Sequence, residues 1–492
     1  VSCLRPQTVT EEQCMFILVT TPVGRTELGD QIDYFPSRWS GSSGKFKVTT
    51  FYPFNLSYLT AMLKRDTEHR VRMIDMNYYG VDSDEYRNIV TQLAPDLLIV
   101  EIDSIIYRKQ LAIFKMLKQH LPQLKILACG PQPTATPEDC LLQGVDYIAT
   151  GEFEHSITHF IQSGLNVHSP GIYPNKQPNL VDINTLPLPD DIDLKRRNYC
   201  RLYGSEYNEV EMWVTRGCPV MCNFCVVANV YYAKPNHRVR DLDKVIAEIR
   251  YLQKTIPDLE GIFFNEEAHT INRNYLRALC QRLIDEGLNK ELKFNCMGNY
   301  DTLDTVTLTL MKQAGYYKIR IGLESLDESV MQHISKYRSK SNYQRLLDVL
   351  HDCRELGIKI YGTMSVGTVG ANYDSDIESL NTIKKLHAEG YIQEFSLSIN
   401  TPLQGTPFFD KAKAEDWLIA TSSDYDGSYG SMVNLPNYSA EFINKAFEYG
   451  SQIRAHINQI NQEKGVRYSS YDREWCAPVY ATSHRLIGTQ IL

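Results

Sequence analysis

Short, uninterrupted apolar runs alternate with amphipathic helical stretches along most of this chain, and that alternation leaves few folds open. Met15-Phe16-Ile17-Leu18-Val19 suits a strand buried on both faces. It runs into a Gly- and Ser-rich loop, residues 22–45, after which Leu56, Leu59, Thr60 and Leu63 share one helical face. Strand and helix then recur at 71–75, 84–93, 97–101, 111–120, 125–128 and 145–148. Such alternation specifies a doubly wound parallel sheet, which takes ligands beyond the carboxyl ends of its strands.

Pro170, Pro174, Pro178, Pro187 and Pro189 crowd residues 169–193, where a stiff connector between domains is expected. Strands are expected again at 212–215, 261–264, 293–296, 317–325, 359–366 and 394–400, separated by helices such as the one carrying Leu242, Val245, Ile246, Ile249 and Leu252. Six units of this kind make a partial (β/α)6 barrel, with its chemistry at the carboxyl ends of the strands. The expected α/β architecture is therefore a Rossmann-like domain at 1–165, a linker at 166–205, a partial barrel at 206–420 and a small, mainly helical extension at 421–492. Within the extension, 422–438 reads as an exposed loop and Ser439 as a helix cap. The stretch 468–480, with Trp475 and three tyrosines, reads either as a lid over substrate or as packing against the barrel.

The first barrel strand is expected to deliver the stretch Cys218-Pro219-Val220-Met221-Cys222-Asn223-Phe224-Cys225. No Cys, His, Asp or Glu lies between these three cysteines to complete a four-ligand zinc site, so one metal position stays open. A [4Fe–4S] cluster held by three cysteines leaves one iron free for a small molecule and can pass it an electron. Three structural thiols, or a zinc loop with a distant fourth ligand, are the alternatives.

The spacing Cys-x3-Cys-x2-Cys, with Phe224 before the third cysteine, resembles the signature of the radical S-adenosylmethionine (SAM) superfamily. Later strand ends extend the resemblance: Phe264-Asn265-Glu266-Glu267, with His269 where an aromatic usually packs, Gly322-Leu323-Glu324-Ser325, residues 367–373, and Thr401-Pro402-Leu403-Gln404-Gly405-Thr406-Pro407. The resemblance implies cluster ligation by Cys218, Cys222 and Cys225, with Phe224 near the adenine of SAM. It places Asn265 and Glu266 at the SAM amino group, and Glu324 and Ser325 at the carboxylate region or ribose. Solvated loop carboxylates are the alternative for Glu266 and Glu324. Arg320 is a further cofactor contact or the partner of a neighbouring carboxylate.

In the first domain, Cys129-Gly130-Pro131-Gln132-Pro133-Thr134-Ala135-Thr136-Pro137-Glu138, followed by Gly151-Glu152-Phe153-Glu154, resembles the turn of cobalamin-binding domains that precede many radical SAM barrels. The resemblance implies cobalamin against Cys129 and Gly130. Cys129 stands where that turn usually has a first glycine and Gln132 where it has histidine, and the loop 103–108 is bulkier than the family's. A fold of this type that has lost its cofactor and walls the active site therefore stays open.

Composition narrows the function. With 51 Lys and Arg against 59 Asp and Glu, the 492-residue chain carries a formal charge of −8 and no basic tract, which argues against a general nucleic-acid binder. Twelve cysteines are too sparse for a disulfide scaffold, and a thiolate loop needs reducing conditions, so a cytoplasmic setting is expected. No secretory leader and no apolar span of about 20 residues is read along the chain. Cys296, at a barrel strand end, and Cys476 stand out from cysteines otherwise expected in the core. Tyr300, Tyr361 and Asn400 would suit a polar substrate.

The expected activity is cobalamin-dependent C-methylation of a small-molecule or natural-product intermediate through a 5′-deoxyadenosyl radical, with flavodoxin or ferredoxin as electron donor. A cobalamin-free radical SAM dehydratase or epimerase acting on a hydroxylated substrate is the alternative within enzymes. A non-catalytic iron–sulfur or zinc protein is the alternative outside them.

Overall fold

A computed structural model describes residues 14–25, 29, 31–33, 42–44, 51–176, 180–201, 204–334, 336, 343–419 and 430–466. Cys3, residues 422–429, Trp475, Cys476 and the whole 468–480 stretch lie outside the described residues.

The apolar runs of the first half pair as a parallel sheet of five strands: Phe16–Thr20, Arg70–Ile74, Leu97–Glu101, Lys125–Cys129 and Tyr147–Ile148. The first strand lies between the second and third, and the fourth and fifth follow outward. Both faces are buried, as continuous apolar strands require. Leu56, Leu59 and Phe160, from helices Phe54–Asp66 and Glu154–Gln162, pack on Ile17, Val19 and Ile99. Tyr86, Ile89 and Phe114, from Ser83–Leu93 and Tyr107–His120, pack on Leu18, Leu98 and Val100 on the other face. Asp82 starts its helix with a reciprocal cap, accepting Glu85 N at 2.9 Å while Glu85 accepts Asp82 N at 3.0 Å. The proline-bearing connector folds back on this domain, where Asp190 and Asp193 hold Lys64 at 3.0 and 2.8 Å.

The second half forms six parallel strands in chain order: Glu209–Met212, Gly261–Phe264, Lys293–Gly298, Tyr316–Glu324, Lys359–Val366 and Glu394–Ile399. One face carries Val210, Ile262, Phe294, Ile319, Ile360 and Phe395 into a core shared with the surrounding helices. The register sets Glu211, Phe263, Asn295 and Lys318 side by side on the opposite face, with Arg320, Tyr361 and Glu394 one layer above. An open half-barrel with an apolar outer face and a polar inner face results.

The first barrel strand lies at Glu209–Met212 and not at 212–215. Glu209 and Glu211 hide it in the sequence, because both are buried carboxylates on the inner face. Trp213 leaves the sheet and stacks on Phe54 of the first domain at 4.7 Å. Thr215–Arg216 then pairs antiparallel with Arg238–Val239. No helix among the described residues is long and apolar enough to cross a membrane.

The last helix, Ala440–Glu463, lies against the sixth barrel strand and the helix Tyr373–Ala388, and Ser439 caps it by accepting Phe442 N at 3.4 Å. It approaches closely through Gly450, where an added Cβ would stand 2.5 Å from Leu397 and 2.8 Å from Leu380. Gly450→Val gains a few tenths of a kcal/mol in helix propensity but overpacks this contact, at a cost of about 1–3 kcal/mol. The net destabilisation should appear as a lower urea midpoint at unchanged slope; an unchanged or raised midpoint would refute the close-packing account.

Candidate active site

The cysteine loop leaves the short strand Thr215–Arg216 through Gly217, whose φ of 98° belongs to the left-handed region. A Cβ there would collide with Asn236, so only glycine lets the chain turn into the loop at this point. The loop is tied down along its length. Gly217 N donates to Glu267 Oε2 at 3.1 Å, Asn229 Nδ2 donates to the carbonyls of Cys222 and Cys225 at 2.7 and 2.8 Å, and Asn223 N reaches Ile334 O at 3.1 Å. Cys222 is buried, and Cys218 and Cys225 are half-buried.

Burial pushes the metal-free thiols up, Cys218 to about 12, while Lys336 opposes the rise at Cys218 and Cys222, and the amides of Ala228 and Val227 oppose it at Cys225. Binding iron therefore displaces protons that burial holds on sulfur. Among the described residues no three His, Cys, Asp or Glu side chains converge on one point as ligands of a single ion do. Three thiols that each take a separate iron of a cubane need not converge. With amide donors and an ammonium nearby, this donor set fits a cluster.

The other anticipated residues do not share one place. Asn265 is on the inner face, where its Nδ2 donates to Glu211. Glu266 turns to the outer core: His269 Nδ1 binds its Oε1 at 2.6 Å, Thr215 Oγ1 donates to the same oxygen at 3.3 Å, and His269 Nε2 meets Tyr316 OH at 2.8 Å. His269 stacks on Phe264, with ring centroids 4.9 Å apart, and so keeps the packing role of an aromatic. The carboxylate that faces the cysteine loop is Glu267, which also accepts Tyr232 OH at 3.2 Å. Alternation along the strand end gives the reason, since residues 264, 265 and 266 point out, in and out.

Glu324 lies at the mouth with φ 58°, beside a register shift between Gly322 and Glu324 that re-aims its side chain. Lys336 holds its Oε1 at 2.6 Å, and Ser365 Oγ donates to its Oε2 at 3.2 Å. Ser325 is instead a loop brace, buried against Ser379 Oγ at 3.3 Å and accepting Asp327 N at 3.2 Å. Arg320 lies deeper on the inner face, with its guanidinium 4.2 Å from the centre of the Phe263 ring and 5.2 Å from that of Tyr361. Phe224 packs half-buried against the barrel core. Tyr300 and Cys296 belong to the outer core and do not line the inner face. Asn400, buried at the end of the sixth strand, has no partner for its Nδ2 among the described residues. Glu267 and Lys336 had no signal in the sequence beyond adjacency: one is the neighbour of the expected carboxylate, the other lies twelve positions beyond Glu324.

The carboxyl edge of the first sheet meets this mouth. Cys129 is fully buried, its Sγ toward Val100 O at 3.6 Å. Gly130 has φ 99°, and a Cβ there would stand 2.8 Å from Glu101 Cγ, so the turn has no room for a side chain. Gln132 Nε2 donates to Gln404 Oε1 across the seam, and Gln132 Oε1 is buried without a partner among the described residues. A bare glycine backbone and a spare amide oxygen fit a ligand rich in amide donors, as corrin side chains are.

Comparison with known proteins agrees with this geometry. Residues 212–386 match the radical SAM superfamily, and residues 48–161 match the B12 binding domain. The anaerobic magnesium-protoporphyrin IX monomethyl ester cyclase of Synechocystis sp. is 25% identical over 401 residues, 75% of each chain. The hopanoid C-3 methylase of Methylococcus capsulatus is 23% identical over 368 residues, 72% of this chain and 67% of that protein. Among solved structures, the cobalamin-dependent SAM radical enzyme OxsB, with aqua-cobalamin and SAM bound, superposes with a TM-score of 0.66 at 12% identity, covering 97% of this chain and 72% of that one. The radical SAM methyltransferase TsrM from Kitasatospora setae gives 0.59 at 14% identity, covering 81% and 76%.

Glu267→Ala deletes the acceptor of the Gly217 amide. A hydrogen bond to a charged group is worth about 1.5–3 kcal/mol, so exchange at that amide should quicken roughly 10- to 100-fold. Ser325→Ala should leave it unchanged. Equal exchange in Glu267→Ala and the parent protein, by deuterium-exchange mass spectrometry, would show that Glu267 does not anchor the loop.

Proposed function

Because this chain belongs to the radical SAM superfamily, with a B12-binding domain ahead of the barrel, we propose that it transfers a methyl group to an unactivated carbon of a small molecule. The observation that carries the reading is the meeting of two carboxyl edges: the Gly130–Gln132 turn of the first sheet lies against the barrel loop that carries Gln404. When bound, a [4Fe–4S] cluster supplies the electron that cleaves SAM to a 5′-deoxyadenosyl radical, and cobalamin supplies the methyl group.

The chain's own residues divide the remaining work. Cys218, Cys222 and Cys225 would hold three irons, with Phe224 bordering the adenine. Glu267 and Asn265, at the end of the second strand, would meet the ammonium of SAM, and Glu324 with Lys336 its carboxylate end or ribose. Gly130 and Gln132 would meet the corrin. The unpartnered Asn400 Nδ2 and the half-exposed hydroxyls of Thr363, Ser365 and Ser396 support a polar, hydroxylated or amino-bearing substrate. A small redox protein such as flavodoxin or ferredoxin would supply the electron.

One observation favours a second reading. Cys129 stands, fully buried, where the cobalamin turn usually opens with a glycine. A cobalamin-free dehydratase or epimerase would use the first domain as a wall.

Protein purified without oxygen from cells supplied with cobalamin should contain about four irons, four sulfides and one corrin per chain. It should form 5′-deoxyadenosine on reduction, and Cys222→Ala should lose both iron and that product. A cluster without corrin selects the second reading. Absence of iron after reconstitution would rule out both.

A further inference from the structure

Beside the cysteine loop, two arginines and two glutamates are shut in between the domains. Arg216, two residues before Cys218, donates from Nη1 to Glu154 Oε1 at 2.8 Å and to Glu152 Oε1 at 3.1 Å. Arg238 donates to Glu152 Oε2 at 2.7 Å and Oε1 at 3.0 Å. Arg216, Glu152 and Glu154 are 3%, 1% and 0% exposed at their side chains. The arginines come from the barrel and are register neighbours in the short ladder Thr215–Arg216 with Arg238–Val239. The glutamates come from the first domain, directly after Gly151. Two guanidiniums side by side repel each other unless the carboxylates stand between them, so the ladder and the domain contact depend on one another.

Two routes lead from these glutamates to the start of the loop. The short one runs from Glu154 through Arg216 along the backbone to Gly217. The longer one runs from Glu152 to Arg238, whose guanidinium lies 5.4 Å from the centre of the Tyr232 ring, then through Tyr232 OH to Glu267, which accepts Gly217 N. Both converge on the residue that turns the chain toward Cys218.

We propose that Glu152 and Glu154 are positioning residues for the cysteine loop, so that the first domain builds the iron–sulfur site whether or not it holds a corrin. The inference rests on the reading that the loop holds a cluster. It gives the first domain a task that survives loss of its own cofactor.

The test uses the full chain, prepared without cobalamin and loaded with iron and sulfide. Glu154→Gln leaves Glu152 to bridge both arginines, and Arg216→Lys keeps the cluster of charges neutral while replacing the planar guanidinium, so both variants should keep the parent's circular dichroism. In each, a ferrous chelator should strip iron about tenfold faster than from the parent. The electron paramagnetic resonance signal of the reduced cluster should broaden and respond less to added SAM. A displacement of about 1 Å costs up to roughly 100-fold in rate, so 5′-deoxyadenosine formation should fall by up to that factor, less in Arg216→Lys than in Arg216→Gln. Glu441→Gln, which removes an exposed ion pair with Lys445, serves as control and should match the parent. Parent-like iron loss and spectrum in Glu154→Gln and Arg216→Lys would overturn the inference. Failure of the parent itself to take up iron would overturn the reading beneath it.

Discussion

Dry contact between two sheet edges is what the rest of this molecule depends on. Phe54 and Trp213 stack across the seam, Tyr52 meets Phe54 and Tyr199 edge-on at 5.0 and 5.1 Å, and each such ring removes about 150–250 Å² from water. Several polar groups inside the seam pair across it: Tyr52 OH donates to Asp190 O at 2.8 Å, Tyr199 OH to Asp75 at 2.7 Å, and Asn55 Nδ2 to Tyr231 OH at 2.8 Å. Because the aromatic rings exclude water, the ion pairs of Arg216 and Arg238 act at low dielectric, where they are stronger and where breaking one leaves an uncompensated charge. Apolar burial and charge pairing thus support the same docking geometry.

Charge is also what shapes the half-barrel. Lys318 is fully buried on the inner face, yet Glu206 and Glu394 each lie 3.0 Å from its ammonium, and burial that works against its charge is overcome by those carboxylates. Arg320 lies on an aromatic ring one layer higher. Burying an ion costs several kcal/mol unless it is matched, so matched ions fill the lower interior and close it to solvent. The upper interior carries Thr363, Ser365, Ser396 and Ser398 at intermediate or full exposure. Small hydroxyls of this kind leave space above a rigid floor, which is the arrangement a site needs for holding two molecules in contact.

Much of this was legible in the residues. Runs such as 97–101 and 261–264 appear as strands with the expected bounds, because every residue is buried and all but the terminal Glu101 are apolar. The three cysteines are equally plain, since their chemistry depends on local spacing. The first barrel strand was not, because inward-facing Glu209 and Glu211 interrupt its pattern. Of the loop carboxylates, Glu266 is the one the motif points to and Glu267 is the one that faces the cysteines. A single-residue choice of this sort is decided by which residues of a strand end face inward, which a spacing does not record. Lys336 reaches Glu324 only through tertiary folding, and Ser325 looks like a ligand contact in the motif while its hydroxyl braces a loop.

The direct contact between Gln132 and Gln404 bears on why the first domain keeps its form. A domain retained only to bind a corrin would be free to drift once the corrin was lost, because nothing else would constrain its carboxyl edge. Here Gly130 is held to glycine by Glu101 and Ile102 of its own domain, Gly405 is pressed against Ala135 and Val230, and Gly151 faces Tyr231 O. These contacts join the first domain's carboxyl edge to its own sheet, to the barrel loop carrying Gly405 and to the helical turn that follows Cys225. The Gln132–Gln404 end of the seam is a neutral amide contact, whereas Glu152 and Glu154 bind Arg216 and Arg238 through ion pairs, and the ion-paired end is the one adjoining the cysteines.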